Sequence, residues 1–258
     1  MNIPFYKYQG TGNDFVVIDN RKKNYALTNE QVSRLCNRRF GIGADGLMLL
    51  NDVEGYDFRM VYYNADGKEG SMCGNGGRCL VQFAFDLGIK KKEYHFIAVD
   101  GPHYASFSSK GWVKLKMKDV SIAETGDDYA VLDTGSPHYV KLVPEVMSFP
   151  VFDSGRAIRN NDQFRGNGIN VNFVEQRNDH ILVRTYERGV EDETLSCGTG
   201  VTASALVTGP KQTGFNLVNV TTPGGNLAVE FERVNDRQFK NIWLCGPATF
   251  VFKGKIEV

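Results

Sequence analysis

At 258 residues, 41% of them hydrophobic and 23% charged, the chain has room for one large or two ordinary domains and too much apolar content for disorder. Thirty basic residues balance thirty acidic ones, which argues against a nucleic-acid surface, normally marked by a basic excess. No apolar run reaches the roughly eighteen residues that a membrane-crossing helix needs, so no membrane span is expected.

The start, Met1-Asn2-Ile3-Pro4-Phe5-Tyr6-Lys7, lacks the charged and apolar regions of a signal peptide. Five cysteines are an odd number, so a disulfide framework is not expected and a reducing, cytoplasmic setting is.

In chain order, Thr28-Asn29-Glu30-Gln31 has capping-box spacing ahead of Val32, Leu35 and Cys36, predicting an amphipathic helix. Gly41-Ile42-Gly43-Ala44-Asp45-Gly46 spells GxGxxG, but it leads into the strand-like Leu47–Leu50 rather than a helix and reads as a glycine turn. Phe58–Tyr63 reads as a strand. Arg78–Leu87 is apolar on most faces and ends at Gly88, predicting a buried helix; Lys90-Lys91-Lys92 beyond it is a solvated exit. Strands are expected over Tyr94–Val99, Trp112–Met117, His180–Tyr186, Asn226–Phe231 and Thr249–Phe252. A second, small-residue helix over Val201–Val207 stops at Gly209-Pro210.

The chain also repeats itself. Thr11-Gly12-Asn13 is matched by Thr134-Gly135-Ser136, Gly41–Asp45 by Gly166–Asn170, and Cys73-Gly74-Asn75-Gly76 by Cys197-Gly198-Thr199-Gly200, in the same order and at an interval constant to within two residues. So long a period implies two homologous domains rather than a solenoid. The expected class is α+β: two pseudo-symmetric β-rich domains, each a barrel-like sheet wrapped around a central helix, with the active site in the cleft between them. The first domain is placed at 1–121, with the last strand, 247–258, returning to it, and the second at 122–246. The polar Glu124–Asp128 stretch marks the join.

Each CGxG stands before a predicted buried helix. Unpaired N–H groups and a partial positive charge at a helix start attract an anion and favour a thiolate. Two such thiols acting on opposite faces of one carbon are the minimum apparatus for inverting a stereocentre, one removing a proton and the other supplying one. Cys36, Cys79 and Cys245 lack this context and read as small buried hydrophobes. Metal-ligand spacing is absent: Cys197 has no near Cys or His partner and only four histidines are present, so no metal is expected.

Taken together, Gly12-Asn13-Asp14-Phe15, Asn64-Ala65-Asp66-Gly67, Met72-Cys73-Gly74-Asn75-Gly76-Gly77-Arg78, Gly135-Ser136-Pro137-His138, Tyr186-Glu187-Arg188-Gly189 and Ser196-Cys197-Gly198-Thr199-Gly200 closely resemble the diaminopimelate epimerase family, over nearly the whole chain. The resemblance implies interconversion of LL- and meso-2,6-diaminoheptanedioate, on the bacterial route to lysine and peptidoglycan, with no cofactor. By the same resemblance Cys73 donates a proton in the LL-to-meso direction and Cys197 accepts one, while His138 and Glu187 tune the thiols. Substrate binding is implied for Asn13, Asn64, Gly74, Asn75, Ser136, Asn170, Glu187, Arg188, Gly198 and Thr199. The implied partner is a small-molecule substrate, without nucleic acid or membrane, and the family suggests a homodimer.

Three departures stand out. Many members carry Gln where Gly46 stands and Asn where Ser136 stands, and their second helix often runs longer. A proline or hydroxyproline racemase of the same fold would also use two cysteines, but typically carries His after the first CG, where this chain has Asn75. A redox or metal-binding thiol protein would have no use for the Asn, Glu and Arg set.

Overall fold

Alternation of buried and exposed residues runs through most strands of the computed structural model, which describes residues 2–22 and 25–258. Met1, on which part of the signal-peptide reading falls, lies outside them. The first elements are β1 (Asn2–Gly10), β2 (Asn13–Asp19), α1 (Asn29–Cys36), β3 (Gly46–Asn51), β4 (Arg59–Asn64), α2 (Gly74–Asp86), β5 (Glu93–Ala98), β6 (Gly101–Phe107) and β7 (Val113–Lys116). There follow β8 (Val120–Thr125), β9 (Tyr129–Asp133), β10 (Pro137–Leu142), α3 (Val151–Arg159), β11 (Asn170–Gln176), β12 (Ile181–Glu187), β13 (Asp192–Thr194), α4 (Gly198–Thr208), β14 (Gly214–Thr222), β15 (Gly225–Arg233), β16 (Gln238–Gly246) and β17 (Thr249–Glu257). The chain divides into two units: Met1–Leu115 with Gly246–Val258, and Lys116–Cys245.

In the first unit the strands run in the order β17-β1-β2-β3-β4-β5-β6-β7. Pairing is antiparallel except for β2–β3 and β4–β5, which are parallel. Val16, Val17 and Ile18 of β2 and Leu47–Leu50 of β3 are buried on both faces, as a parallel pair covered on both sides requires. One face packs on α2 and the other on α1, whose Val32, Leu35 and Cys36 join Ile3, Val16, Ile18, Leu47 and Leu49 in one cluster. Thr28 caps α1 with both halves of the capping box in place, as its sequence predicts.

The second unit repeats the pattern in the order β8-β9-β10-β11-β12-β14-β15-β16, with β10–β11 and β12–β14 parallel. Here β16 pairs with β8, closing an eight-stranded barrel around α4. α4 carries small residues on every side, and its buried hydroxyls bond back to its own carbonyls, Thr202 to Gly198 at 3.0 Å and Ser204 to Gly200 at 2.8 Å. α3 covers the outside of this sheet, packing on β11 and β12.

Four sequence expectations are refined. The division falls at Leu115/Lys116 and Cys245/Gly246, because β8 belongs to the second barrel. The polar Gly126–Asp128 stretch is the β8–β9 hairpin turn. Both central helices begin earlier than predicted, at Gly74 and Gly198, directly after the cysteines. Finally, Phe15 pairs with Gly46 as His138 pairs with Asn170, so Gly46, not Asp45, is the counterpart of Asn170.

Candidate active site

Each motif cysteine is the N-cap residue of a buried helix. Cys73 caps α2 and Cys197 caps α4, both with extended backbone and neither with a side-chain cap bond. The first intrahelical bonds, Gly77 N–H to Cys73 O and Val201 N–H to Cys197 O, leave the N–H groups of Gly74 and Asn75, and of Gly198 and Thr199, pointing out of the helix starts. Among the described residues, none of the five cysteines is joined in a disulfide. Burial pushes the Cys36 thiol up to about 11 and the Cys79 thiol up to about 12, so both stay neutral and fit the core role read from sequence.

In the first unit, Thr11 and Gly12 both take positive φ (52° and 85°) in the two-residue turn between β1 and β2, which delivers Asn13 to the mouth of α2. Cys73 Sγ donates to Asn13 Oδ1 at 3.6 Å, and Asn75 Nδ2 donates to the same oxygen at 3.4 Å. Asn13 Nδ2 in turn donates to Asp45 Oδ2 at 2.6 Å. Arg38 bridges Asp45 and Asp14, each at 2.7 Å, and Lys7 reaches Asp14 at 2.7 Å. Burial alone would raise the Asp14 carboxyl, but Arg38 and Lys7 outweigh it and hold it near about 2.

Asn64 ends β4, exposed, and its backbone closes the turn with Gly67. Two residues earlier on the same face, Tyr62 occupies the space that a side chain at Gly46 would take: an added Cβ would stand 2.5 Å from its ring and 3.0 Å from its hydroxyl.

The second unit assembles a longer network. Ser136 Oγ accepts from Asn170 Nδ2 at 2.8 Å and from Arg188 at 3.3 Å, while Asn170 Oδ1 accepts the Arg188 N–H at 2.9 Å. Glu187 ends β12 and accepts from the Thr194 hydroxyl at 2.8 Å. His138 is fully buried; burial, with Arg188 adding to it, drops its pKa to about 3 and keeps the ring neutral. Its Nε2 lies 2.9 Å from Thr199 Oγ1, which lies 3.5 Å from Cys197 Sγ. Its Nδ1 lies 3.0 Å from Asn172 Nδ2. His138 thus reaches the thiol through Thr199.

Sequence reasoning missed Asn172, Thr185, Asp45, Tyr62 and the hydroxyl of Thr199. The signal for Asn172 was present, since Asn170-Val171-Asn172 puts two amides on one face of a strand.

The sequence model of the family described as Diaminopimelate epimerase matches residues 5–122 and 130–251. The chain belongs to the diaminopimelate epimerase family. A diaminopimelate epimerase of Flavobacterium psychrophilum is 49% identical, covering 97% of this chain and 99% of the relative. One of Chlorobaculum tepidum is 44% identical, covering 96% and 99%. Among solved structures, a PhzF-family phenazine biosynthesis protein of Bacillus anthracis superposes with TM-score 0.76 at 16% identity, over 100% of both chains. A probable proline racemase of Agrobacterium radiobacter superposes with TM-score 0.70 at 15% identity, over 99% of this chain and 93% of that one. At such identities these two likenesses bear on the fold of this epimerase-family chain, which they share.

Proposed function

We propose that the chain interconverts LL- and meso-2,6-diaminoheptanedioate by a two-base proton transfer that uses no pyridoxal phosphate. Cys197, as thiolate, takes the α-proton of the LL substrate, and the C–H bonding pair stays on the α-carbon beside the carboxylate. Cys73, as thiol, delivers a proton to the opposite face. The enzyme is left with Cys197 protonated and Cys73 as thiolate, the form that runs the reaction backwards or exchanges protons with solvent to reset.

The observation that carries this reading is the double occurrence of one device. Each unit sets a thiol at the N-cap of a buried helix whose outward N–H groups suit a carboxylate. The reacting carboxylate is assigned to the amides of Gly74, Asn75, Gly198 and Thr199. The distal carboxylate is assigned to the guanidinium of Arg188 and the distal ammonium to Glu187, with Asn13, Asn64, Ser136 and Asn170 as further contacts. Tuning of the thiols is assigned to His138 and Glu187.

The balanced charge supports a free small molecule, rather than nucleic acid or a membrane, as the partner. The reading extends to work in the cytoplasm on the route to lysine and peptidoglycan, and to a homodimer, as the family resemblance implies. Incubation with LL-diaminopimelate in deuterated water, without added cofactor, tests it: meso product carrying deuterium at the inverted α-carbon is expected. Absence of both product and label would overturn the reading.

A further inference from the structure

We infer that two side-chain amides, Asn172 and Asn13, each locked in orientation by an acceptor, set the resting hydrogen-bond roles of the two thiols, with Cys197 accepting and Cys73 donating. This rests on the two-base reading and adds the device that makes the two bases different.

The argument for Cys197 starts from a backbone carbonyl. One terminal atom of the Asn172 amide lies 3.1 Å from Tyr139 O and 3.0 Å from His138 Nδ1. A carbonyl oxygen only accepts, so that atom is the NH₂ group, and the other, Oδ1, takes the Thr185 hydroxyl at 2.9 Å. The NH₂ group therefore donates to Nδ1, which carries no proton, and the neutral ring bears its proton on Nε2. Nε2 donates to Thr199 Oγ1 at 2.9 Å. The Thr199 hydroxyl accepts there on one lone pair and keeps its own hydrogen available, and we assign that hydrogen to Cys197 Sγ at 3.5 Å. A hydroxyl donating to sulfur favours the thiolate. The Tyr139 carbonyl thus sets the direction of the links from Thr185 through Asn172 and His138 to Thr199, and the assigned Thr199–Cys197 contact continues it.

The Cys73 arrangement has the opposite sense. Asp45 Oδ2 accepts from Asn13 Nδ2, so Asn13 Oδ1 is the atom turned to Cys73, and it can only accept. A sulfur facing an acceptor keeps its proton. The strand register shows how the first unit differs at the positions of this relay: the residues equivalent to His138 and Asn172 are Phe15 and Met48. Around the second glycine of each CGxG the same substitution is seen, with Met48 and Phe15 beside Gly76 and Asn172 and His138 beside Gly200. Two copies of one fold have diverged at these two strand positions, and the difference is the one that a resting acid and a resting base require.

Charged groups enter on both sides. Asp133 and Arg188 face His138. Asp45, with Arg38 and Asp14 behind it, stands beyond Asn13, and the buried Arg78 lies one helical turn into α2.

The test measures alkylation by iodoacetamide as a function of pH on the full-length protein, with each thiol resolved by peptide mass spectrometry. In the unmodified sequence Cys197 is expected to titrate below Cys73. Thr199→Val, and Asn172→Met, which copies the first unit, should move the Cys197 midpoint to higher pH by roughly one to two pH units while Cys73 stays put. Thr199→Ser should restore it, and Asp45→Ala, by freeing the Asn13 amide to turn, should lower the Cys73 midpoint. An unmoved Cys197 midpoint in folded Thr199→Val, or Cys73 titrating first in the unmodified sequence, would overturn the inference. If Asn172→Met does not fold, the Thr199→Val and Thr199→Ser pair decides alone. Deuterium incorporation by the unmodified enzyme and its loss in Cys197→Ala report on the two-base reading separately. Loss in Cys197→Ala with unmoved midpoints would sink only the amide assignment.

Discussion

The amide oxygen of Asn172 occupies the space that a side chain at Gly200 would need. Backbone freedom is thus not the reason for the second glycine of Cys197-Gly198-Thr199-Gly200: it sits inside α4 and makes room for the hydrogen-bond chain that ends at Cys197. Gly200→Ala should displace Asn172 and break the chain. The expected cost is about 1–3 kcal/mol by urea denaturation, with activity falling well beyond what lost folded protein explains. Gly76→Ala would meet chiefly the flexible Met48 thioether at 3.2 Å, so it should cost less, and comparing the two variants checks the explanation.

Asp14 ties acid stability to the first unit. Its folded pKa, held near about 2, lies below the ordinary carboxylate value. A lowered carboxylate pKa gives stability that is complete above the unfolded value and is lost as pH falls through the folded one. Asp14→Asn should therefore cost about 2 kcal/mol at neutral pH. The gap to the unmodified protein should close between roughly pH 4 and pH 2 in denaturant titrations.

His138 works in the same direction from a higher starting pH. Its folded pKa of about 3 lies below the ordinary imidazole value, so below about pH 6.5 the unfolded chain binds a proton that the native chain refuses. Stability should fall as pH drops from about 6.5 towards 3. His138→Asn, which has nothing to titrate there, should show a shallower decline over that window in thermal melts. An identical slope would mean that the imidazole is not held neutral.

Gly46 is crowded from two sides. A Cβ there would stand 2.5 Å from the Tyr62 ring and 2.6 Å from the Tyr63 carbonyl. Gly46→Gln should lose about 1–3 kcal/mol of stability, and adding Tyr62→Ala should recover only part, because the Tyr63 carbonyl remains. Denaturation midpoints of the single and double variants check this.

Much of this architecture was legible in the sequence, for reasons tied to particular residues. The α1 capping box is local chemistry, and Thr28 and Gln31 behave as their spacing dictates. The duplication was visible because Cys73-Gly74 and Cys197-Gly198 stand at the same place, the mouth of a buried helix, in both halves. The starts of α2 and α4 were not visible, because glycine has poor helix propensity and only burial against the strands holds Gly74–Gly77 and Gly198–Gly200 helical. No helix was expected over the short α3, which carries Gly155, a poor helix former, in its middle; Gly155 lets Tyr186 pack close. The role of Asn172 lay beyond any motif, since it depends on which atom faces the Tyr139 carbonyl.

The most direct test of two-base inversion follows Cys73→Ala with LL-diaminopimelate in deuterated water. With Cys197 still present, the α-hydrogen should wash out into solvent with retention of configuration, and no meso product should form. Meso product at a near-normal rate from that variant would contradict the account.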